Sequence, residues 1–222
     1  MTIFLKLLLI KNWVLYRYTK QSYAQEGEDL ILERIFEGQK TGFYIDVGAH
    51  HPLRFSNTFR LYKRGWQGIN IDATPGSMEA FRLIRPRDIN IEIAVGVRKS
   101  RKIFYQFNEP AINTFDKKLV ENNRKVGYRV IATPTIEVIP LREIIKKCRV
   151  SKVIDLLSID VEGLDEAVLR SMDWSKKPRV IIVEILNTNL DNIKRHPTYK
   201  FVASHGYKLF AKTANTLIFL AR

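Results

Sequence analysis

An α/β fold built on a mostly parallel sheet is what this sequence predicts, and three observations predict it. Short apolar runs alternate with amphipathic stretches of helical period along nearly the whole chain. Four of those runs close on an acid, at Asp46, Asp72, Asp160 and Glu184. Two late runs, Tyr207–Lys212 and Thr216–Ala221, are joined only by Thr213-Ala214-Asn215, a link that makes an antiparallel hairpin and is too short for a parallel crossover.

The 222 residues suffice for one α/β domain with a full core. A hydrophobic content of 45% with 27% charged residues is globular and argues against disorder. Lys and Arg number 37 against 23 Asp and Glu, a net +14 that favours an anionic neighbour. The cations are scattered, as at Arg60, Lys63, Arg64 and again at Lys146, Lys147, Arg149. That scatter speaks against a nucleic-acid partner. The single cysteine, Cys148, supports neither a disulfide framework nor a Cys-based zinc site. A reducing, cytoplasmic location fits it.

Residues 3–18 are apolar and basic, and their longest unbroken apolar run, Leu7–Ile10, sits between Lys6 and Lys11. This is far short of the ~20 residues of a membrane span, and a signal-peptide cleavage site is lacking. At about 100° per residue Thr2, Lys6, Arg17 and Lys20 share one helical face. Residues 1–20 are therefore expected to form a basic amphipathic helix that either lies in a membrane interface or packs on protein. Residues 21–222 form the main domain.

Ser22 and Gln25 have capping-box spacing, so a helix is expected to follow, with Glu26, Glu28 and Asp29 in its first turns and Gly38 at its end. Gly42–Pro52, GFYIDVGAHHP, reads as a buried strand running into a small-residue turn. Ser56–Arg64 is a helix stopped by Gly65, and Trp66–Ala73 a second strand. Thr74-Pro75 is an N-cap and N1 pair for the next helix. Asp88–Val95 is a third strand and Lys102–Phe107 a short extra one. An insertion over about 97–135, least regular from Asn108 on, is placed to close over the sheet end. Then come a strand over Thr135–Ile139, a helix from Pro140 to Cys148, a strand over Lys152–Asp160, a helix from Asp165 to Met172 and a strand over Arg179–Ile185.

In a parallel sheet the four strand-end acids gather along one edge, where ligands bind. Charge is costly to bury, so acids repeated there indicate a site. An acid ending the second strand is positioned to accept from both hydroxyls of a ribose, which assigns Asp72. The first turn holds a single glycine, Gly48, in place of a G-x-G-x-x-G cradle. An adenosyl cofactor without phosphates fits it better than a dinucleotide.

Five segments in order, SYAQEGED (22–29), GFYIDVGAHHP (42–52), RGWQGINIDATP (64–75), AINTF (111–115) and LLSIDVEGLD (156–165), resemble the FkbM-type S-adenosylmethionine-dependent methyltransferases. The resemblance covers about residues 21–220. It implies a class I methyltransferase (Rossmann-like) fold, a seven-stranded, mostly parallel sheet ending in an antiparallel hairpin. It implies S-adenosyl-L-methionine as cofactor and methyl transfer to a hydroxyl, often on a sugar. By position, Asp46, Gly48, Ala49 and His50 match the motif that contacts the methionine portion. His50 and Pro52 stand where the general class has its second and third glycines. Asp72 matches the ribose acid and Ala73 the adenine edge. Ile93 and Ala94 match the third strand's end beside the adenine, and Gln25 belongs to the first segment. Asp160 and Glu162 match the fourth motif, next to the transferred methyl.

Methyl transfer to a hydroxyl needs the acceptor aligned and its proton removed, and Asp160, Glu162 and His51 are the candidate bases. Asp160 with Glu184 offers an alternative in which a divalent metal lowers the hydroxyl's pKa, although no metal is expected. The expected partner is a small-molecule or glycan hydroxyl. Asn113, Thr114, Asn187 and His196 are polar candidates in the loops that would meet it. A nucleic-acid amino-methyltransferase is a rival reading, but Ser158-Ile159-Asp160-Val161 lacks the prolines such enzymes carry there. A non-catalytic binding protein on the same fold is the other.

Overall fold

The computed structural model describes residues 2–16, 19–186 and 188–222, so Arg17 and Asn187 lie outside the described residues. Its main sheet takes strands β1 (Phe43–Val47), β2 (Gln67–Asp72), β3 (Ile89–Glu92), β9 (Leu156–Ile159), β10 (Val180–Glu184), β11 (Tyr207–Lys212) and β12 (Thr216–Ala221). Five further short strands precede β9: β4 (Ala94–Val95), β5 (Ser100–Ile103), β6 (Gln106–Phe107), β7 (Val130–Ala132) and β8 (Thr135–Ile139). The helices are α1 (Ile3–Tyr16), α2 (Glu28–Ile35), α3 (Phe59–Lys63), α4 (Met78–Ile84), α5 (Lys117–Lys125), α6 (Leu141–Lys147), α7 (Asp165–Arg170) and α8 (Pro197–Ser204).

The seven-stranded sheet runs β11-β12-β10-β9-β1-β2-β3. β1 pairs in parallel with β2 on one side and β9 on the other, and β10 continues in parallel from β9. β12 is antiparallel to both β10 and β11. This is the expected class I sheet with its terminal hairpin. The chain leaves β1 to one side and returns to its other side at β9, a topological switch point that opens a crevice at the carboxyl ends.

All five residues of β1 are buried, as a parallel strand covered on both faces requires. On one face Ile45, Val47, Leu157 and Ile181 pack with Ile144 of α6, Val168 of α7 and Val202 of α8. On the other, Tyr44, Leu156 and Ile182 pack with Leu32 of α2, Leu61 of α3 and Trp66. Each such side chain contributes about 1.5–3 kcal/mol by leaving water.

Below the sheet edge sits a buried charged network. Arg85 is fully buried, and its Nε donates to Asp88 Oδ2 at 2.9 Å. Its Nη2 donates to the Tyr44 hydroxyl at 2.8 Å and to Thr58 Oγ1 at 2.9 Å. Asp88 also accepts from the Gly68 N–H and the Asn70 amide, both at 2.9 Å. Burying this pair is tolerable because its groups are answered by hydrogen bonds. The network ties β1, β2 and α4 together beneath the crevice.

Several local expectations are corrected. Ser22 caps no helix, since α2 starts at Glu28 behind Gly27. Instead Ser22 Oγ and the Tyr23 N–H donate to the two oxygens of Asp29, at 2.6 and 2.8 Å. Glu26 accepts from the Thr213 hydroxyl and the Asn215 N–H at the hairpin link, at 2.6 and 2.9 Å. Tertiary partners thus outcompete the local box. Thr74-Pro75 forms a turn, and α4 begins later, at Met78. The expected third strand divides at Ile93, whose N–H donates to Asp72 O at 2.8 Å. Beyond it β4 joins β8 and β5 in a separate three-stranded sheet. The 97–135 segment holds α5 and paired strands as well as loops. Finally, α1 shows no single polar face over Ile3–Tyr16: Lys6 and Lys11 fall on different sides of a mainly apolar helix.

Candidate functional site

A cavity of about 320 Å³ opens at the carboxyl ends of β1, β2 and β9. Most of the proposed site residues meet there. Gln25, Gly48, His50, Asp72, Ala73, Ile93, Ala94, Asp160, Glu162 and Glu184 all line it. The insertion supplies another part of the wall through Phe104, Glu109, Ile112, Asn113, Phe115 and Tyr128.

The first turn is shaped by a close approach. Gly48 has φ 82°, and a Cβ placed on it would lie 1.6 Å from the Asp160 carbonyl oxygen. Its N–H donates to Ile71 O at 2.8 Å, while the Asp160 N–H donates to Val47 O at 2.9 Å. Only a residue without a side chain lets β1, β2 and β9 close this tightly. His50 follows with φ 53°, a strained value for a residue with a side chain. Its ring stacks on Phe55 at 6.3 Å, and its Nε2 is buried without a hydrogen-bond partner. Burial holds its pKa below the ordinary histidine value.

Asp72 spans the turn. One of its oxygens accepts from the His50 N–H at 2.9 Å, the other from the Thr74 N–H at 2.7 Å. Each oxygen keeps a second lone pair for a ligand hydroxyl. Asn113 from the insertion donates to Thr74 Oγ1 at 3.2 Å, and Arg54 pairs with Glu109 at 3.3 Å. Turn and insertion are thereby fastened together across the cavity mouth.

Three predicted residues lie elsewhere. Asp46 is turned away, because successive strand residues face opposite sides, and its Oδ2 accepts from Thr58 Oγ1 at 2.7 Å. Burial raises its pKa. Ala49 packs on Met78 and Phe81 of α4. His51 does not line the cavity, and its Nδ1 accepts from the N–H groups of Leu53 and Arg54 at 3.1 and 3.0 Å. Its available ring nitrogen is thus committed to the backbone, a structural role and not a base's. Of the loop candidates, Thr114 is buried and donates to Glu162 O at 3.0 Å, while His196 caps α8 by accepting from the Thr198 N–H at 3.3 Å.

The acids form the most unusual feature. One carboxylate oxygen each from Asp160, Glu162 and Glu184 lie within 4.8 Å of one another. Burial pushes Glu162 up to about 7, with Asp165 adding repulsion. Glu184 rises to about 8, first by burial, then through Glu162 and Asp165. Asp160 is raised well above its ordinary value by burial and by Glu184. Asp165 reaches about 6 by burial while its Oδ1 accepts from the Val161 N–H at 3.1 Å, which pins the turn carrying Glu162. Glu162 itself has φ 50°, a second strained residue at the cavity. A cluster this compact can hold a cation or share protons.

The raised values make a stability prediction. The folded protein keeps protons on Glu162 and Glu184 that the unfolded chain has already released above pH 5, so their stabilisation is full at low pH and is lost as pH rises through 7 and 8. The buried histidines act in the opposite sense, but only below about pH 6.5. Denaturant unfolding is therefore expected to show stability falling by about 1–2 kcal/mol from pH 7 to 8.5, and Glu184→Gln should flatten most of that slope. A slope unchanged in the variant would contradict the assignment.

A family model described as "Methyltransferase FkbM domain" matches residues 46–209. Among solved structures, an O-methyltransferase from Bacillus cereus in complex with SAH aligns over 100% of this chain and 92% of its own, at 11% identity and a TM-score of 0.38. No curated protein matches by sequence. The family model spans well over half of the chain and contains the first turn, Asp72 and the acid cluster, and this protein belongs to the FkbM methyltransferase family.

Proposed function

We propose that the protein transfers a methyl group from S-adenosylmethionine to a hydroxyl of a small molecule or glycan, with Glu162 as the general base. The observation that carries this reading is Glu162 itself, a carboxylate held near pKa 7 on the same cavity as Asp72. A base works best when its pKa lies close to the operating pH.

An adenosyl cofactor fits the residues present. Asp72 has lone pairs for two ribose hydroxyls, His50 Nε2 is a buried polar atom in want of a partner, and Ile71, Ile93 and Phe104 offer apolar cover for a flat base. When bound, S-adenosylmethionine supplies a methyl on a positively charged sulfur that is already a good leaving group. The chain's own residues must then hold the acceptor in line and take its proton. Glu162 would accept that proton on a carboxylate oxygen while the acceptor oxygen takes the methyl, with the electron pair of the broken carbon–sulfur bond leaving on the now neutral sulfur. Glu184, pushed up to about 8, donates a hydrogen bond that orients the acceptor, and Asp160, raised by burial and by Glu184, lines the same cavity beside it. The absence of prolines in Ser158-Ile159-Asp160-Val161 favours a hydroxyl over a planar amine.

Incubation with labelled S-adenosylmethionine and a panel of glycan and small-molecule hydroxyls tests the reading. A methyl ether is the expected product. Methyl on nitrogen, or cofactor binding with no turnover on any hydroxyl, would overturn it. Activity is expected to survive thorough chelation. If it is lost and then restored by magnesium, the acids serve as metal ligands and Glu162 is not a free base. Asp72→Ala is expected to weaken cofactor binding by about 100-fold, since two charge-assisted hydrogen bonds are lost. Calorimetry reads this directly, and an unchanged Kd would remove Asp72 from the ribose site.

A further inference from the structure

We propose that α1 docks the protein on an anionic lipid surface. Among its described residues Ile3, Phe4 and Ile10 are 78%, 76% and 58% exposed, and Leu5, Leu7 and Leu8 are exposed as well. No described residue of α1 belongs to any core cluster of the domain. A helix with this many large apolar side chains exposed is ordinarily covered by something. No helix among the described residues is long and apolar enough to cross a membrane, and at about 1.5 Å per residue α1 falls well short of the hydrocarbon thickness. It can enter one leaflet without spanning.

Charge selects the occupant. The first 25 residues contain Lys6, Lys11, Arg17 and Lys20 and no acid. A second copy would bring the same cations against them, and each copy carries a net +14. An anionic bilayer answers both the apolar surface and the charge, with each lysine at the headgroups adding about fivefold to partitioning. The chain just after α1 is anchored to the domain: Lys20 pairs with Glu33 at 3.0 Å, and Arg60 donates to Gln21 O at 2.7 Å. Gln25, which lines the cavity, follows Tyr16 so closely that the extended chain between them spans at most about 30 Å. The docked protein holds its cavity near the headgroups. This inference does not depend on methyl transfer, and its test reads no activity.

The test is flotation of the full chain with vesicles of phosphatidylcholine alone or mixed with phosphatidylglycerol. The chain is expected to float with the mixed vesicles at least tenfold more than with neutral ones. Leu7→Glu combined with Leu8→Glu should remain at the bottom while circular dichroism and thermal unfolding stay unchanged. Lys6→Gln combined with Lys11→Gln should lose several-fold on mixed vesicles only. Wild type that stays at the bottom, or a Glu double variant that floats equally, overturns the proposal. So does a concentration-dependent oligomer that binds no vesicles and that the Glu double variant dissolves, because a second copy is then the occupant.

Discussion

Glu162→Gln is expected to lower kcat by about 10²–10⁴-fold, the usual worth of a positioned base, while leaving the cofactor Kd within about threefold. The substitution keeps shape and removes only the proton acceptor. Wild-type kcat should fall as pH drops below about 7, where Glu162 becomes protonated. The variant should lose that limb of the profile. Burial does the tuning, and the strained backbone at φ 50° with the Asp165 clasp on Val161 holds the carboxylate in place. If kcat survives in Glu162→Gln and collapses in Glu184→Gln, the base is the neighbouring acid.

Gly48→Ala is the second large effect. The new methyl group would sit 1.6 Å from the Asp160 carbonyl oxygen, with φ at 82°. Backbone strain costs about 1–2 kcal/mol and the overlap about 1–3 more. A loss of about 3 kcal/mol in unfolding free energy is expected, together with loss of cofactor binding, because relief of the clash displaces both Asp160 and His50. Gly38→Ala is the internal control. Its φ is 78°, but nothing lies within 4 Å of the new Cβ, so only the strain component should appear. Equal destabilisation of the two variants would show that the close approach contributes nothing.

Much of this architecture was legible because its signals are local and periodic. The terminal hairpin formed at the expected residues, since the three-residue link admits no other pairing. The acids at Asp72, Asp160 and Glu184 converge because parallel strands end along one edge. Asp46 broke the pattern: one residue before the end of β1, it faces α3 instead of the crevice. His51 looked suited to proton transfer by its pKa class, but its ring was claimed by two backbone N–H groups that sequence does not reveal. Ile93 interrupted an apparently continuous strand because its N–H turns to Asp72. The buried Arg85–Asp88 pair went unread, although its i, i+3 spacing in RPRD was a usable signal. The α8 helix was missed too, despite Pro197 at its first position behind the capping His196. Asp46 and Ile93 are claimed by hydrogen bonds to distant residues, Thr58 and Asp72, whereas His51, Arg85 and His196 are claimed by partners two or three residues away.

The central claim is that the crevice at the ends of β1, β2 and β9 is an adenosyl-cofactor site. Isothermal titration of wild-type protein with S-adenosylmethionine and S-adenosylhomocysteine tests it most directly. Saturable binding of both at one site per chain, in the micromolar range or tighter, is the predicted result. Absence of detectable binding to folded wild-type protein would contradict it.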